Sequence, residues 1–396
     1  TAGLRWDYDS LSKGGAATGD RTNIAPRLSL NYALGARSVL RGGYGMFYDK
    51  IVYSVYSDAL QFSTTAPGFQ NQVQSLIDQG LLPADTDIAR VTNRGNVTAN
   101  APNPGAVPFL DGPTPDELAD ERASIISNEL RILNPNGMDN PYSHEFMIGV
   151  QHQLGRHARL YADLMHNRSF NLYRLRDLNA PAPWPIDSQN VEVRSPEEAD
   201  ATLPTPILQD AEGFYTPGPD GERLRGVARS VTMTETAGRS NYYALNLTYD
   251  QARGPRDFSW RLIYTLSYLE NNTEDLNFRA MDANDFEDEW GPSLNDRRHM
   301  INATLQYFPV NGLSVALTTL IQSGLPVNRL ADASIYGTSD LNGDGRSIGQ
   351  QFVGNSDRSP GLSRNSDRLP WSTVFDLNLR YQLQLEGHRF ELGADV

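Results

Sequence analysis

FSWRLIYTLSY, residues 258–268, decides the fold. Read two at a time, Phe258, Trp260, Leu262, Tyr264, Leu266 and Tyr268 fall on one side. Ser259, Arg261, Thr265 and Ser267 fall on the other, with Ile263 as the exception. A period of two belongs to an extended strand, whose side chains alternate between faces. FDLNLRYQLQL at 375–385 is stricter: Phe375, Leu377, Leu379, Tyr381, Leu383 and Leu385 oppose Asp376, Asn378, Arg380, Gln382 and Gln384. At the start of the chain Ala2, Leu4, Trp6 and Tyr8 oppose Thr1, Gly3, Arg5, Asp7 and Asp9. Weaker alternation marks Phe146/Ile148/Val150, Leu160/Ala162/Leu164, Leu245/Leu247/Tyr249, Ile301/Ala303/Leu305/Tyr307 and Leu313/Val315/Leu317. About eleven strands of roughly 8–13 residues result, the length a tilted strand needs to cross a bilayer.

Alternation fits a soluble sandwich as well as a membrane barrel, and the connections separate the two. Short turns lie at Gly35-Ala36-Arg37, Gly155-Arg156, Gly254-Pro255, Asn311-Gly312 and Glu386-Gly387-His388. Between them stand long polar links at 9–26, 49–143, 168–240, 270–298 and 323–372. A membrane barrel has tight periplasmic turns on one rim and long external loops on the other, whereas a sandwich has no reason to alternate in this way. Arg5, Arg261 and Arg380 sit on polar faces, where a watery lumen suits them. Phe258 and Trp260 at one strand end and Tyr268 at the other match the aromatic girdles of both interfaces. The expectation is an all-β, antiparallel transmembrane β-barrel with short periplasmic turns and extracellular loops, in the outer membrane of a Gram-negative bacterium. Single-chain bacterial barrels have even strand numbers. Alternation is already running at Thr1 and still running from Phe390 to Val396, so residues 1–396 are expected to be part of a larger barrel.

Composition agrees with this class. No run of about 18 apolar residues exists to form a helical span. Apolar residues make up 39% of the 396, as expected where only alternate positions face lipid. Forty-eight acids against 34 bases give a net charge of −14, which argues against nucleic acid, a partner that needs a basic stripe. The absence of cysteine removes disulfides and thiolate metal sites.

The long links hold the candidate sites. The 49–143 link is Pro-rich, with a helix expected near Pro115–Leu133 and Asp116, Glu117, Asp120 and Glu121 at its N-terminal end. The 270–296 link carries nine carboxylates, Glu270, Glu274, Asp275, Asp282, Asp285, Glu287, Asp288, Glu289 and Asp296, against the single base Arg279. It reads as a solvated acidic loop or as a contact for a cation or cationic ligand, with Asp285, Glu287, Asp288 and Glu289 as contact candidates. Asp340-Leu341-Asn342-Gly343-Asp344-Gly345 matches the first half of a Ca²⁺ loop, alternate oxygen side chains followed by a turn glycine. Asp340, Asn342 and Asp344 are the candidate ligands of a structural Ca²⁺, the one cofactor considered. A plain Asp/Asn/Gly turn is the alternative, since Gln351 stands where a bidentate Glu would complete the loop. Gly42-Gly43-Tyr44-Gly45 lacks the Lys-Ser/Thr of a phosphate loop and reads as close packing in a strand. The six histidines show no zinc spacing and no nucleophile elbow appears, so no enzyme is expected.

Several stretches together resemble one family. They are Asn23–Leu30 (NIAPRLSL), Val39–Asp49 (VLRGGYGMFYD), Asn140–Leu154 (NPYSHEFMIGVQHQL), Trp290–Tyr307 (WGPSLNDRRHMINATLQY), Asp340–Arg346 (DLNGDGR) and Asn365–Leu379. In this order they resemble the C-terminal barrel half of TonB-dependent outer-membrane receptors, specifically the Oar-like branch. The resemblance implies a barrel of about 22 strands around an N-terminal plug that is not among these residues. It also implies energised import through the TonB complex, in contact with outer-membrane lipid and lipopolysaccharide. The solute would be bulky: an oligosaccharide, a peptide or a metal chelate. A passive porin and an adhesion or secretion-related surface protein remain the alternatives.

Overall fold

The structure, a computed structural model, describes residues 1–9, 19–52, 54–64, 66–92, 129–186, 188–254, 257–345 and 356–396. Eleven strands follow one another across an antiparallel sheet in chain order. They are β1 (Ala2–Asp9), β2 (Asp20–Ala33), β3 (Ser38–Tyr48), β4 (Tyr142–Gln153), β5 (Ala158–Asp177) and β6 (Ser230–Gln251). Then come β7 (Phe258–Asn271), β8 (His299–Tyr307), β9 (Leu313–Gln322), β10 (Ser372–Leu385) and β11 (His388–Asp395). β1 and β11 are the edges of the path, and the sheet is not closed on itself. The short turns fall where expected, although Pro255 lies outside the described residues. In the tightest, Glu386 and Gly387 both have positive φ, 47° and 83°, the type I′ geometry that matches strand twist.

Register holds one face together over the whole sheet. Ile148 pairs Leu164, Leu164 pairs Leu245, Leu245 pairs Leu266 and Leu266 pairs His299. One step toward the long-loop rim runs the row Tyr44, Phe146, His166, Tyr243 and Tyr268. Farther along, Leu305, Leu317 and Leu377 align. This face is uncovered: Leu30 and Leu164 are each 57% exposed and Phe375 61%. A soluble monomer rarely leaves such a continuous apolar surface open, and a bilayer covers it. Tyr268 and Trp260 stand eight residues apart on β7, about 26 Å along the strand at ~3.3 Å per residue, close to the ~25 Å apolar band of such barrels.

Two of the expected links are shorter than the sequence indicated. β2 already starts at Asp20, β5 runs to Asp177 and β6 begins at Ser230, so the links at 9–26 and 168–240 narrow to 10–19 and 178–229. β5 and β6 are 20 and 22 residues long, about twice what crossing a bilayer requires. Their outer parts carry a folded cap. A bulge separates the two regions: Asn171 takes φ 56° and the β5–β6 register shifts on both sides of Gly238. A Cβ on Gly238 would lie 2.4 Å from Cγ2 of Thr273, so the position has no room for a side chain.

The cap has its own apolar core. The helix Pro67–Asp78 starts with Pro, whose missing N–H costs nothing in a first turn. It buries Phe69, Gln72, Val73 and Leu76 on one stripe. These pack with Leu130, Ile132, Leu178, Val231 and Met233. Each fully buried Phe, Val or Leu stabilises the cap by about 1.5–3 kcal/mol. Gln72 is satisfied within this core: its Nε2 donates to Ala228 O at 2.8 Å and its Oε1 accepts from Ala228 N at 2.9 Å.

The expected helix Pro115–Leu133 is corrected at its end. Glu129–Ile132 is a strand, paired in parallel with Ser230–Met233. Alongside the extended backbone of β6 it gains ladder hydrogen bonds while burying Leu130 and Ile132, which one helical turn there could not do. The stretch from Pro115 to residue 128, including Asp116, Glu117, Asp120 and Glu121, lies outside the described residues.

Candidate functional site

The cap is held by arginine–carboxylate contacts between links distant in sequence. Arg364, with a side chain 1% exposed, meets Glu274 Oε1 at 2.5 Å and donates to Glu289 O at 2.7 Å and to Asn271. Arg358 meets Glu289 Oε2 at 2.7 Å, with both side chains buried. Arg368 pairs with buried Asp296. Farther round, Glu129 takes Arg131 at 2.9 Å and also Arg279, while Arg131 reaches Asp58 at 2.8 Å. Burial opposes ionisation of Glu129, but the guanidiniums of Arg279 and Arg131 outweigh it and hold its carboxyl below the usual range. At the outer end of β5, Arg174 and Arg176 share Glu235 at 2.6 and 2.9 Å.

The acidic link is therefore largely consumed inside the protein. Glu274, Glu289 and Asp296 are structural acceptors. Asp282 accepts from Trp184 N at 2.9 Å. Glu270 takes the Tyr268 hydroxyl and Trp290 Nε1. Of the four contact candidates, Glu289 is fully buried and closed off by Arg358. Asp285, Glu287 and Asp288 stay exposed. Asp285 Oδ1 accepts from Glu287 N at 3.1 Å, and Glu287 pairs with Arg239 at 2.7 Å across open solvent.

The Asp340–Gly345 turn is buried and already engaged. Asn342 Oδ1 accepts from Asp344 N at 2.9 Å, and its Nδ2 donates to Met281 O at 3.0 Å. Asp340 Oδ2 accepts from Gly345 N at 3.0 Å. The carbonyls of Asn342, Gly343 and Asp344 accept from Arg194 and Arg229. Among the described residues no three carboxylates or histidines gather closely enough to enclose a metal ion. Gln351 lies outside the described residues. What the sequence did not reveal is Asp357, 1% exposed, whose Oδ2 accepts from Leu341 N at 2.7 Å and Asn342 N at 3.0 Å. Burial, with the nearby charges of Asp344 and Asp340, pushes its carboxyl up to about 7 against the two amide bonds. No sequence pattern marks a single Asp that answers backbone amides about 15 residues away.

The three predicted arginines share the face opposite the apolar one. Arg5, on β1 beside Trp6, donates to Asp7 Oδ1 at 2.8 Å. Arg261 pairs Thr304 and Asp250 in register. Arg380 meets Asp395 Oδ2 at 2.9 Å. The same face carries a pair the sequence reading missed, Arg41 with Asp163 at 2.7 Å across β3, β4 and β5. The residues lie more than 120 positions apart, and only the register brings them together.

Residues 1–366 match the family described as outer membrane beta barrel domain. No curated protein sequence matches the chain. Among solved structures it is similar to the outer membrane transporter YddB from Escherichia coli, at 11% identity and TM-score 0.46, covering 91% of this chain and 34% of that one. The siderophore receptor PirA from Acinetobacter baumannii is 11% identical with TM-score 0.47, over 97% of this chain and 37% of that one. A ferric enterobactin receptor mutant from Pseudomonas aeruginosa is 15% identical with TM-score 0.47, over 100% and 36%. The chain thus spans about a third of the length of these proteins. With an uncovered apolar sheet face, turns on one rim, a folded cap on the other, and a family match over most of its length, the chain belongs to the outer membrane beta-barrel domain family and is a protein of the outer membrane.

Proposed function

We propose that this chain is the barrel part of an energised outer-membrane receptor of the TonB-dependent, Oar-like kind, taking up a bulky solute. One observation carries the reading: the loops on one rim are built into a cap with its own apolar core and buried ion pairs. Ordering so many loop residues costs about 1–2 kcal/mol of backbone entropy each. A pore for passive diffusion gains nothing from that expense, whereas a receptor needs a preorganised mouth. The exposed carboxylates Asp285, Glu287 and Asp288 supply acceptors for a hydroxyl-rich or cationic ligand. Arg5, Arg261 and Arg380, with the Arg41–Asp163 pair, line the passage. An oligosaccharide, a peptide and a metal chelate all have suitable groups. The test is uptake of labelled oligosaccharides, peptides and ferric chelates by cells carrying the full-length protein, with and without a working TonB complex. Uptake that depends on TonB is the expected result. Equal uptake in both strains rejects energised transport, and surface binding without uptake favours an adhesive role.

A further inference from the structure

A polar cavity of about 180 Å³ opens in the cap between two turns. One turn is residues 83–86, where Thr86 N and Oγ1 donate to Pro83 O at 3.0 and 2.7 Å. The other is residues 134–137. There Gly137 N donates to Asn134 O at 3.0 Å, and Asn136 N donates to Asn134 Oδ1 at 3.0 Å. Leu133 N donates to Val91 O at 2.9 Å and so joins the two walls, while Val91 packs in the apolar core of the cap. The cavity is preformed, and a ligand entering it does not have to order its walls. Asp85, Asp87, Arg90, Asn134 and Asn136 line it. Asp87 Oδ1 accepts from Arg90 N at 3.2 Å, which fixes that carboxylate in place. The side chains of Asp85 and Asn136 are exposed and make no hydrogen bond or ion pair among the described residues.

Carboxylates that only accept stand here beside a guanidinium that only donates and amides that do both. That set suits a ligand whose polar groups each donate and accept, which describes a hydroxyl. A cationic side chain entering the cavity would meet Arg90, and an anion would meet Asp85 and Asp87. Size removes the chelates, since sites for drug-sized ligands measure ~300–1,000 Å³. Pro83 and Pro135 add apolar ring surface to the walls, which the C–H face of a sugar ring covers. We propose that this cavity binds one pyranose unit of a neutral glycan. Asp85 and Asp87 accept from its hydroxyls, and the Asn136 amide holds another. The inference rests on the receptor reading and narrows it: of oligosaccharide, peptide and chelate, the cavity selects the first.

The experiment uses the full-length protein in a detergent without sugar headgroups, titrated by saturation-transfer NMR, which reads weak binding. The probes are the methyl glycosides of glucose, mannose and galactose, with lysine amide and methyl glucuronate as charged competitors. At least one neutral glycoside should bind, and more tightly than either charged probe. A lost hydrogen bond to a charged group weakens binding more than about tenfold, and one to an amide about fivefold. Asp85→Ala and Asn136→Ala should weaken the preferred glycoside by those factors. Both side chains are exposed, so both variants should melt with the parent. A deoxy analogue lacking a bound hydroxyl should be rejected strongly. Absence of glycoside binding overturns the proposal, as does lysine amide or glucuronate binding more tightly. Glycoside binding unchanged in both variants also overturns it. The outcome separates cleanly from the import reading, because binding is measured without TonB: TonB-dependent uptake alongside an inert cavity sinks this proposal alone, and glycoside binding without uptake sinks import alone.

Discussion

Arg364→Ala isolates one fully buried tie in the cap. The substitution removes the ion pair with Glu274, the bond to Glu289 O and the contacts with Asn271, and leaves Glu274 with a side chain 9% exposed and no cation. Breaking a buried pair by deleting one partner costs about 3–5 kcal/mol, because the surviving charge stays desolvated. Glu274 still accepts from Leu294 N at 2.9 Å and Ser293 Oγ at 3.0 Å, which places the cost at the lower end. A loss of about 3 kcal/mol raises local opening more than ~100-fold. Amide exchange read by mass spectrometry should therefore accelerate by that factor across residues 272–296 and 357–368. Strands β8 and β9, held by their own ladders, should keep their protection. The double variant Glu274→Leu with Arg364→Met should recover most of the loss, since similar-sized apolar partners replace a buried pair at little or no cost. Unchanged exchange in Arg364→Ala refutes the reasoning. So does loss spread evenly over the barrel, which would mean that cap and sheet melt as one unit.

Three further outcomes rest on the same structure. Asp357 sits at about 7 in the folded state against 3.8 as a free side chain, so the folded cap holds its proton more tightly. Its stabilising effect is complete below about pH 4 and fades as pH rises through about 7, by on the order of 4 kcal/mol at ~1.4 per unit. Asp357→Asn should flatten this dependence in limited proteolysis of the cap between pH 4 and 8; an unaltered profile rejects the assignment. Leu317→Arg and Thr318→Arg test the faces one residue apart. On the outward side arginine should cost about 2–4 kcal/mol and on the inward side less than 1, read by urea unfolding from vesicles, and equal costs contradict the register. Gly238→Ala places a methyl against Thr273 and Leu172 O and should destabilise by about 1–3 kcal/mol, seen as a lower melting temperature.

The parts legible from sequence are those where one face meets lipid and the other water. Phe258–Tyr268 and Phe375–Leu385 alternate because their two environments differ sharply, and they are strands as read. Legibility fails where that contrast ends. In Leu172–Asp177 and Ser230–Thr236 the cap covers both faces, so alternation fades and the strands looked like loop. The acidic link suggested solvent or ligand because its partners, Arg358, Arg364 and Arg368, arrive from another link some 70 to 90 residues later. Local composition cannot show that a carboxylate will be buried against a distant guanidinium. Glu129–Ile132 gives no local strand signal for the same reason, since its pairing partner Ser230–Met233 follows about a hundred residues on.

The length of β5 and β6 bears on how the mouth could open. Two strands continue from the bilayer into the cap and form its frame, so that side of the cap cannot swing like a lid on a flexible tether. The ladder breaks at Asn171 and Gly238, and this joint is where bending would cost fewest hydrogen bonds. Any load on the helix Pro67–Asp78 would pass through Val231 and Met233, which pack against it, to that joint, and from there into the wall of the barrel.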